Sequence, residues 1–412
     1  MLGDAQKMVS RSIAAVLPDE AVFRALRGRT FSRPVIVVAI GKAAWRMARA
    51  AHDALEGQVS RGIVITKYAH SEGPIGNLEI YEAGHPVPDE NGVAAARRAL
   101  ELVDGLAPED MVIFLISGGG SALFELPAEG VSLTDIADMT RQLLACGADI
   151  AEINTIRKRL SAVKGGRFAL ACRPAKVLCV VLSDVLGDPL DAIASGPAAP
   201  DSATSEDAAR IVEKYGLSVR GHVAALLKRE TPKTLEGIES IVTGSVTQLC
   251  AAAAQAAQAL GYAPHVLTTT LSYEAREAGE RLAALAREIR AGKSPWQPPC
   301  AIIMGGETVV HLKGSGKGGR NQEIALAAAK EIDGMENVCI FSLGSDGTDG
   351  PTDAAGGVVT GRTAQQAREM GLSIDAALED NDAYPLLEKL GALIMTGPTG
   401  TNVNDVSVLL IR

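Results

Sequence analysis

Short apolar runs alternate along the chain with longer segments in which apolar residues recur at helical spacing. The runs Val35–Ile40, Met111–Ile116 and Val177–Leu182 show no alternation with polar residues, which is typical of strands buried on both faces of a sheet. Further strands are predicted at Gly62–Thr66, Ile238–Thr243, His265–Thr269, Ala301–Met304, Val338–Leu343 and Leu393–Thr396, and helices at Ala43–Leu55, Ala94–Leu102, Val246–Leu260, Glu274–Ala291 and Asn321–Ile332. Strands that alternate with helices predict βαβ units, a parallel sheet and an α/β fold.

The predicted strands are too many for one ordinary sheet, and the 412 residues of the chain suggest about two or three domains. A polar segment, Lys228–Glu236, marks the predicted boundary. Residues 1–235 are therefore expected to form a domain with a parallel sheet and flanking helices, and residues 236–412 a smaller α/β domain. The turn-rich segment Gly292–Pro299 is either a second boundary or a long loop inside the second domain.

The amino-acid composition argues against a disordered protein and against a nucleic-acid-binding protein. Hydrophobic residues make up 47% and charged residues 22%, a balance that supports a buried core and argues against disorder. The net charge of −9 and the 3% of aromatic residues provide neither the basic surface nor the stacking platforms of a nucleic-acid-binding protein. Neither a signal peptide nor a membrane span is expected, since no apolar run approaches about 20 residues.

No hydrolase signature is present in the sequence. The six histidines show no H-E-x-x-H spacing and no G-x-S-x-G elbow occurs, so neither a zinc hydrolase nor a serine hydrolase is supported. None of the six cysteines forms a C-x-x-C pair, so we expect reduced thiols in the core of a cytoplasmic protein.

The loops that follow the predicted strands are the expected place for chemistry, because ligands of open α/β sheets bind beyond the carboxyl ends of the strands. One such loop is rich in glycine and predicts a nest of bare backbone N–H groups for phosphate or carboxylate; the alternative is a flexible strand–helix connection. Lys42 opens a helix after another strand, where the helix dipole disfavours a cation, so we expect an anion to bind beside it. The residues of the predicted nest are Ser117, Gly118, Gly119, Gly120 and Ser121.

Carboxylates follow several predicted strands, where Mg²⁺ could join one or two of them to the phosphates of a nucleotide. The residues predicted to bind the metal are Asp184, Glu307, Asp346 and Asp349. Asp184 or Asp349 is also the candidate for orienting a substrate hydroxyl. Aspartates at strand ends also fit turn and helix N-cap roles, which is the alternative for Asp184.

A glycine-rich segment, Gly314–Gly319, precedes Arg320 at the start of a predicted helix. Its letters satisfy G-x-G-x-x-G, but the acidic residue of a dinucleotide fingerprint is missing at the expected distance. The segment also fails the pattern G-x-x-x-x-G-K-[ST], so any ATP would bind without a standard P-loop. Arg320 suits bidentate capture of phosphate or carboxylate. Polar contacts to the ligand are further predicted for Asn321, Thr399 and Asn402.

Several motifs, in order along almost the whole chain, resemble those of the glycerate 2-kinase family, whose C-terminal module is called MOFRL. The matching stretches are Gly41–Ala43, Ile116–Leu123, Asn154–Arg167, Leu182–Pro197, Gly305–Thr308, Gly316–Glu323, Gly344–Gly356 and Thr396–Asp405. So many ordered matches argue against chance agreement.

The resemblance implies phosphorylation of D-glycerate at its 2-hydroxyl by ATP with Mg²⁺, giving 2-phosphoglycerate. It also implies a Rossmann-like N-terminal domain, a smaller C-terminal α/β domain and an active site in the cleft between them. Lys42 and Arg320 are the essential cations that the resemblance implies, and Asp184 is the predicted catalytic carboxylate.

Two other functions are also compatible with the sequence. Relatives have also been labelled hydroxypyruvate reductases, so the alternative is an NAD(P)-dependent reductase of hydroxypyruvate or tartronate semialdehyde. The G-x-G-x-x-G letters support it, whereas the missing acid and the lack of a histidine–carboxylate pair oppose it. A non-catalytic sensor of a sugar acid or nucleotide is the third interpretation. The expected partners are a small hydroxy acid and a nucleotide, without nucleic acid or membrane, and the protein is expected to be a monomer or homodimer.

Overall fold

The computed structural model describes residues 1–412 and divides into two compact units. We refer to Pro18–Thr243 as the N-terminal unit, and to Met1–Leu17 together with Gly244–Arg412 as the C-terminal unit. The first helix, α1 (Leu2–Ala14), thus belongs to the C-terminal unit. The predicted division at residues 235/236 placed this helix in the first domain, because a local sequence pattern does not show which body a terminal helix packs against.

The N-terminal unit is built around one open sheet. Its strands are β1 (Val35–Ile40), β2 (Val59–Lys67), β3 (Leu78–Ala83), β4 (Met111–Ile116), β5 (Lys176–Leu182) and β6 (Ile238–Gly244). Its helices are α2 (Pro18–Leu26), α3 (Ala44–Ala54), α4 (Glu90–Leu102), α5 (Gly120–Leu123), α6 (Leu133–Ala145), α7 (Ile150–Leu160), α8 (Arg167–Ala171), α9 (Ser205–Tyr215) and α10 (Gly221–Leu227), with a 3₁₀ turn at Ile193–Ser195. The strand order is β3-β2-β1-β4-β5-β6, and β1 to β5 pair in parallel.

Both faces of this sheet are covered, which explains the unbroken apolar runs in its strands. Ile36, Val38 and Ile40 of β1 pack into one core with residues of α4 and α8, while the alternate residues of β1 pack into a second core with α2 and α3. This doubly wound arrangement confirms the predicted fold of the N-terminal domain. It also places the loops after β1 and β4 side by side, because the two strands are neighbours.

The C-terminal unit contains a second sheet, which is mixed. Its strands are β7 (Ala263–Leu271), β8 (Cys300–Gly306), β9 (Val338–Gly344), β10 (Gly356–Thr360), β11 (Leu393–Ile394) and β12 (Asp405–Ile411). Its further helices are α11 (Val246–Ala259), α12 (Ala275–Arg290), α13 (Arg320–Glu331), α14 (Thr363–Glu369), α15 (Ile374–Glu379) and α16 (Ala383–Lys389). The strand order is β11-β10-β9-β12-β8-β7. β12 runs antiparallel to both of its neighbours, whereas β7 and β8 pair in parallel.

Contacts with the far end of the chain hold α1 in the C-terminal unit. Asp4 accepts hydrogen bonds from Tyr262 Oη at 2.8 Å and from Arg412 Nη2 at 3.0 Å. Met8 and Val9 lie on the buried face of the helix. The unit is therefore assembled from both ends of the sequence.

All of the predicted strands occur in the structure, and those at Val35–Ile40 and Met111–Ile116 have the predicted bounds. The strands β3, β10 and β12 were not predicted. β3 contains glutamates and β10 contains glycines, residues that are unfavourable in strands. β12 follows a turn-rich segment, and its apolar run alone does not distinguish a strand from a helix. The omission matters because β12 lies at the centre of the second sheet and begins with Asp405.

The six cysteines are free thiols, of which Cys146 is exposed and the others are buried. Burial raises the pKa of Cys172, Cys179 and Cys250 to about 12, which keeps these thiols protonated and unreactive. None of the helices combines the length and the apolar character that a membrane span requires.

A buried ion pair lies directly after α5. Lys164 Nζ is 2.8 Å from Glu125 Oε2, and both side chains are fully buried. Lys164 also donates to the carbonyl oxygen of Phe124 at 2.9 Å, and Arg157 is 4.0 Å from the same carboxylate. Burial lowers the pKa of Lys164 to about 8, against the raising effect of Glu125. Loss of one partner would leave the other charge poorly compensated in an apolar interior.

We expect Lys164→Met to lower the free energy of unfolding by about 3–5 kcal/mol, because Glu125 then keeps a buried charge with only the more distant Arg157 nearby. Unfolding in urea measures this loss. The double variant Lys164→Met/Glu125→Gln removes both charges and should regain most of the lost free energy of unfolding. A single variant as stable as the wild-type protein would contradict the prediction.

Candidate active site

The loops after β1 and β4 are locked together by direct contacts within the N-terminal unit. The N–H of Lys42 donates to the carbonyl oxygen of Gly118 at 2.9 Å, and the N–H of Ala43 donates to Ser117 Oγ at 3.1 Å. Gly41 adopts a φ of +111°, and a Cβ at this position would overlap Ser117, whose carbonyl carbon would lie 2.8 Å away. Only glycine permits this close approach, which explains why glycine precedes Lys42 at the end of β1.

The loop after β4 forms the predicted turn of bare glycines. Gly119 has a φ of +82° and immediately precedes α5, and the N–H of Gly120 donates back to the carbonyl oxygen of Ser117 at 3.3 Å. The N–H groups of Gly118 and Gly119 have no hydrogen-bond partner in the structure. Adjacent free N–H groups at a left-handed turn form the kind of concave site that binds the oxygens of an anion. The geometry of the nest is therefore present, while its ligand stays a prediction.

Side chains from three different loops surround this turn. The position that a Cβ of Gly119 would occupy is 3.0 and 3.1 Å from ring atoms of His85 and 3.2 Å from Lys42 Cγ. Asp184, just after β5, packs so closely on Gly118 that its Oδ2 would overlap a Cβ there. The predicted residues Lys42 and Asp184 are thus brought to the same turn, together with a histidine that was not predicted.

His85 was missed because it follows β3, a strand that the sequence pattern did not reveal. The available signal was a histidine within the turn-forming letters Gly84-His85-Pro86, directly after that strand. Burial, followed by the charges of Lys42 and Lys67, lowers the pKa of His85. The ring is therefore neutral at neutral pH and keeps one nitrogen as an acceptor.

Ser121, at the end of the nest, is tied to a strained segment. Its Oγ lies 2.6 Å from Ser195 Oγ, which donates to Asn154 Oδ1 at 3.0 Å. Arg157 Nη2 donates to the carbonyl oxygen of Ser121 at 3.1 Å. Ala194 and Ser195 have φ values of +50° and +60°, which are uncommon for residues with a Cβ and cluster at functional sites. The predicted role of Ser121 in ligand binding stays a prediction.

In the C-terminal unit, Arg320 begins α13 and is held by two carboxylates. Its Nε and Nη2 donate to Asp405 Oδ2 and Oδ1 at 2.5 and 3.1 Å, and its Nη1 donates to Glu307 Oε1 at 2.8 Å. Burial raises the pKa of Asp405 to about 6, against the lowering effect of Arg320. The structure thus brings together the predicted Arg320 and Glu307, whereas Asp405 was missed with the strand that carries it.

Asp349 and Asn321, two further predicted residues, secure the start of α13. Asp349 accepts the N–H groups of Asn321 and Gln322 at 3.1 and 2.8 Å, which caps the helix from a distant loop. Asn321 Nδ2 also donates to Asp349 Oδ1 at 3.3 Å. Burial raises the pKa of Asp349 to about 7. Both carboxylate oxygens of Asp349 are therefore engaged in capping α13, a role that the sequence pattern did not predict for this residue.

The other predicted residues of the C-terminal unit lie in loops. Asp346 Oδ1 accepts an N–H two residues along at 3.0 Å, and the hydroxyl of Thr399 donates to the carbonyl oxygen of Ser345 at 2.6 Å. Asn402 Oδ1 accepts an N–H two residues along at 3.4 Å. No group of three or more His, Cys, Asp or Glu side chains is placed to hold a metal ion. Mg²⁺ needs only one carboxylate when phosphates and water complete its shell, so Asp184 in the N-terminal unit and Asp346 in the C-terminal unit each fit such a role separately.

The glycine-rich segment Gly314–Gly319 is not a free phosphate loop. Side-chain oxygens of Asp380, Asn381 and Asp382 accept N–H groups of this segment at 2.9, 3.1 and 2.8 Å. The carbonyl oxygen of Asp380 accepts the N–H of Gly316 at 2.8 Å. Carboxylates in this place repel phosphate, so the G-x-G-x-x-G letters do not describe a dinucleotide site.

We expect Gly41→Ala to destabilise the N-terminal unit by about 2–5 kcal/mol, because the methyl group overlaps Ser117 and the positive φ strains the backbone. Gly57→Ala is the matched control, since Gly57 has a φ of +85° but no atom within 4 Å of an added Cβ. The control bears only the backbone strain and should unfold at a clearly higher temperature than Gly41→Ala. Equal losses in thermal unfolding would show that the contact between the two loops is unimportant.

Comparisons with known proteins agree with the motifs. The model described as "Domain of unknown function (DUF4147)" matches residues 4–228, and the MOFRL family model matches residues 300–405. The chain is 55% identical to the D-glycerate 2-kinase of Thermotoga maritima, over 98% of this chain and 97% of that protein. It is 41% identical to a putative hydroxypyruvate reductase of Agrobacterium vitis, over 98% of this chain and 93% of that protein.

A solved structure resembles the whole chain. The crystal structure of glycerate kinase from Thermotoga maritima superimposes with a TM-score of 0.96 at 54% identity, covering 100% of this chain and 99% of that one. The two family models match in the expected order, and the similar proteins are covered almost completely at high identity. Both findings support membership of one family. The chain therefore belongs to the glycerate 2-kinase family of phosphotransferases, whose phosphoryl acceptor is an alcohol group.

Proposed function

We propose that the protein transfers the γ-phosphoryl group of ATP to the 2-hydroxyl of D-glycerate, giving 2-phosphoglycerate and ADP. The observation that carries this proposal is the glycine turn, where the unpaired N–H groups of Gly118 and Gly119 stand beside Lys42. Free N–H groups and an adjacent ammonium group bind phosphate oxygens. The relatives named D-glycerate 2-kinase and glycerate kinase indicate the substrate.

Phosphoryl transfer needs positioning and charge neutralisation more than covalent chemistry, and each unit, taken by itself, contains a predicted cation and hydrogen-bonding groups suited to these tasks. In the proposed reaction, the turn Ser117–Ser121 holds phosphate or the carboxylate of glycerate. Lys42 neutralises charge on the transferring group. Arg320 supplies a second cation, whose orientation Asp405 and Glu307 fix before any ligand binds.

Mg²⁺, when bound, would neutralise negative charge on the phosphates. The candidate carboxylates are Asp184 in the N-terminal unit and, separately, Asp346 in the C-terminal unit, because Glu307 is paired with Arg320 and Asp349 caps α13. In the same C-terminal unit, Thr399, Asn402 and the neighbouring turn offer hydroxyl and amide groups for polar contacts with the substrates.

The reductase alternative has weaker support. In the segment that matches G-x-G-x-x-G, the N–H groups of Gly314, Ser315 and Lys317 are bonded to the side chains of Asp380–Asp382. A relative bears the name putative hydroxypyruvate reductase, so a direct measurement is useful. Incubation with hydroxypyruvate and NADH or NADPH should leave the nicotinamide absorbance unchanged.

A coupled assay tests the proposed reaction. D-Glycerate, ATP and Mg²⁺ are incubated with the protein, enolase, pyruvate kinase, lactate dehydrogenase and NADH, without phosphoglycerate mutase. Oxidation of NADH in this mixture is expected, because only 2-phosphoglycerate enters enolase directly. A signal that requires the mutase would indicate phosphorylation of the 3-hydroxyl and would contradict the proposed product.

We expect Lys42→Ala and Arg320→Ala each to lower kcat by about 10²–10³-fold, the loss typical of removing a group that stabilises charge in the transition state. Lys293→Ala and Arg362→Ala are matched controls, since both residues are exposed, and they should turn over like the wild-type protein. Because Arg320→Ala leaves Asp405 without its partner, thermal unfolding must accompany the kinetics. Undiminished turnover in either test variant would remove that residue from the proposed site.

A further inference from the structure

One side chain at the glycine turn, that of His85, has no role in the phosphoryl transfer proposed above. The ring of His85 has no hydrogen-bond partner in the structure, although its atoms come within 3.0 and 3.1 Å of the place of a Cβ on Gly119. The loop that carries it is anchored by Asp89, which accepts Tyr68 Oη at 2.6 Å and the N–H of Gly92 at 3.0 Å. The loop therefore holds the ring at the edge of the nest, while the ring nitrogens stay available to a ligand.

The titratable groups that lower the pKa of this ring are basic side chains. They are Lys42 from the loop after β1, Lys67 at the end of β2, and His70 in the loop that follows β2. No carboxylate is hydrogen-bonded to the ring, and the nearby Asp184 packs on the other glycine of the turn, Gly118. Burial and the charges of the two lysines disfavour protonation, so the imidazole remains neutral and one nitrogen keeps its lone pair.

Neighbouring groups are less suited to receive a proton. Lys42, as an ammonium group, has three donors and no free lone pair. Asp184 is one of the carboxylates that would hold Mg²⁺, and a metal-bound carboxylate is a weak base. The neutral ring of His85 is thus the side chain at this turn with an unused acceptor.

We propose that His85 accepts the proton of the attacking 2-hydroxyl of D-glycerate, an inference that rests on the function proposed above. The 2-oxygen forms a bond to the γ-phosphorus, and the bond between that phosphorus and the β,γ-bridging oxygen breaks. ADP leaves with the electron pair of the broken bond. The hydroxyl proton passes to the free nitrogen of His85 and from there to solvent.

The variant His85→Gln tests this role, because glutamine keeps a polar side chain but cannot take up a proton. We expect kcat at neutral pH to fall about 10²-fold, with little change in KM for D-glycerate. Because burial and the neighbouring lysines lower the pKa of His85, the wild-type kcat should decrease only at acidic pH below the ordinary titration range of histidine, where the protonated ring cannot accept a proton. This decrease should be absent from His85→Gln. His222→Gln, which changes an exposed histidine of α10, should keep both the rate and the pH dependence.

Three results would overturn the assignment while leaving the kinase function intact. They are a wild-type kcat in His85→Gln, a loss confined to KM, and a variant that retains the decrease at low pH. If the wild-type protein itself does not phosphorylate D-glycerate, the proposed function fails and the role of His85 fails with it. The wild-type assay, run first, therefore separates the two cases.

The wild-type protein provides a second test if His85→Gln does not fold. Diethyl pyrocarbonate should modify the ring of His85, and D-glycerate with ADP and Mg²⁺ should protect it, as measured by mass spectrometry of peptides. His222 is the internal reference, because it is exposed and should be modified equally with and without ligands. Unprotected modification of His85 in the presence of all three ligands would overturn the proposal.

Discussion

The contact between the loops after β1 and β4 is the constraint on which the rest of the candidate site depends. The two strands are parallel neighbours, so their carboxyl ends lie at the same edge of the sheet. Gly41 allows the first loop to touch Ser117, and the N–H of Lys42 then bonds to Gly118 in the second loop. As a consequence the lysine side chain lies against the glycine turn, where cation and free N–H groups can reach one anion.

Two glycine-rich segments of the same chain differ in how far their N–H groups are occupied. The turn at Gly118–Gly119 keeps its N–H groups free and lies beside Lys42. In the segment Gly314–Gly319, the N–H groups of the first four residues are bonded to Asp380–Asp382, and the adjacent Arg320 is already paired with carboxylates. Glycine content alone therefore does not identify an anion site, because the neighbours decide whether the N–H groups remain available.

Much of the fold could be predicted because its strongest signals are local. The apolar runs of β1 and β4 gave the correct bounds, since strands that are buried on both faces contain few polar residues. β12 was not predicted, although it is a central strand of the second sheet. The reason is that a strand's place in a sheet depends on the strands it pairs with. The packing of the N-terminal helix depends on partners in the same way, as its contact between Asp4 and Arg412 joins the two ends of the chain.

The sequence by itself determined the α/β class. It also determined that a glycine turn follows a buried strand and that Lys42 and Arg320 lie at helix starts, because each of these depends on residue type at a fixed distance from a strand or helix end. Only the tertiary structure decided which of these groups have neighbours that change their chemistry. It placed His85 beside the turn, and it used Asp349 to cap α13. It also paired Arg320 with Asp405, across 85 residues of sequence. The physical reason is that charge, burial and hydrogen bonding depend on the groups a side chain meets in space, and these come from distant parts of the chain.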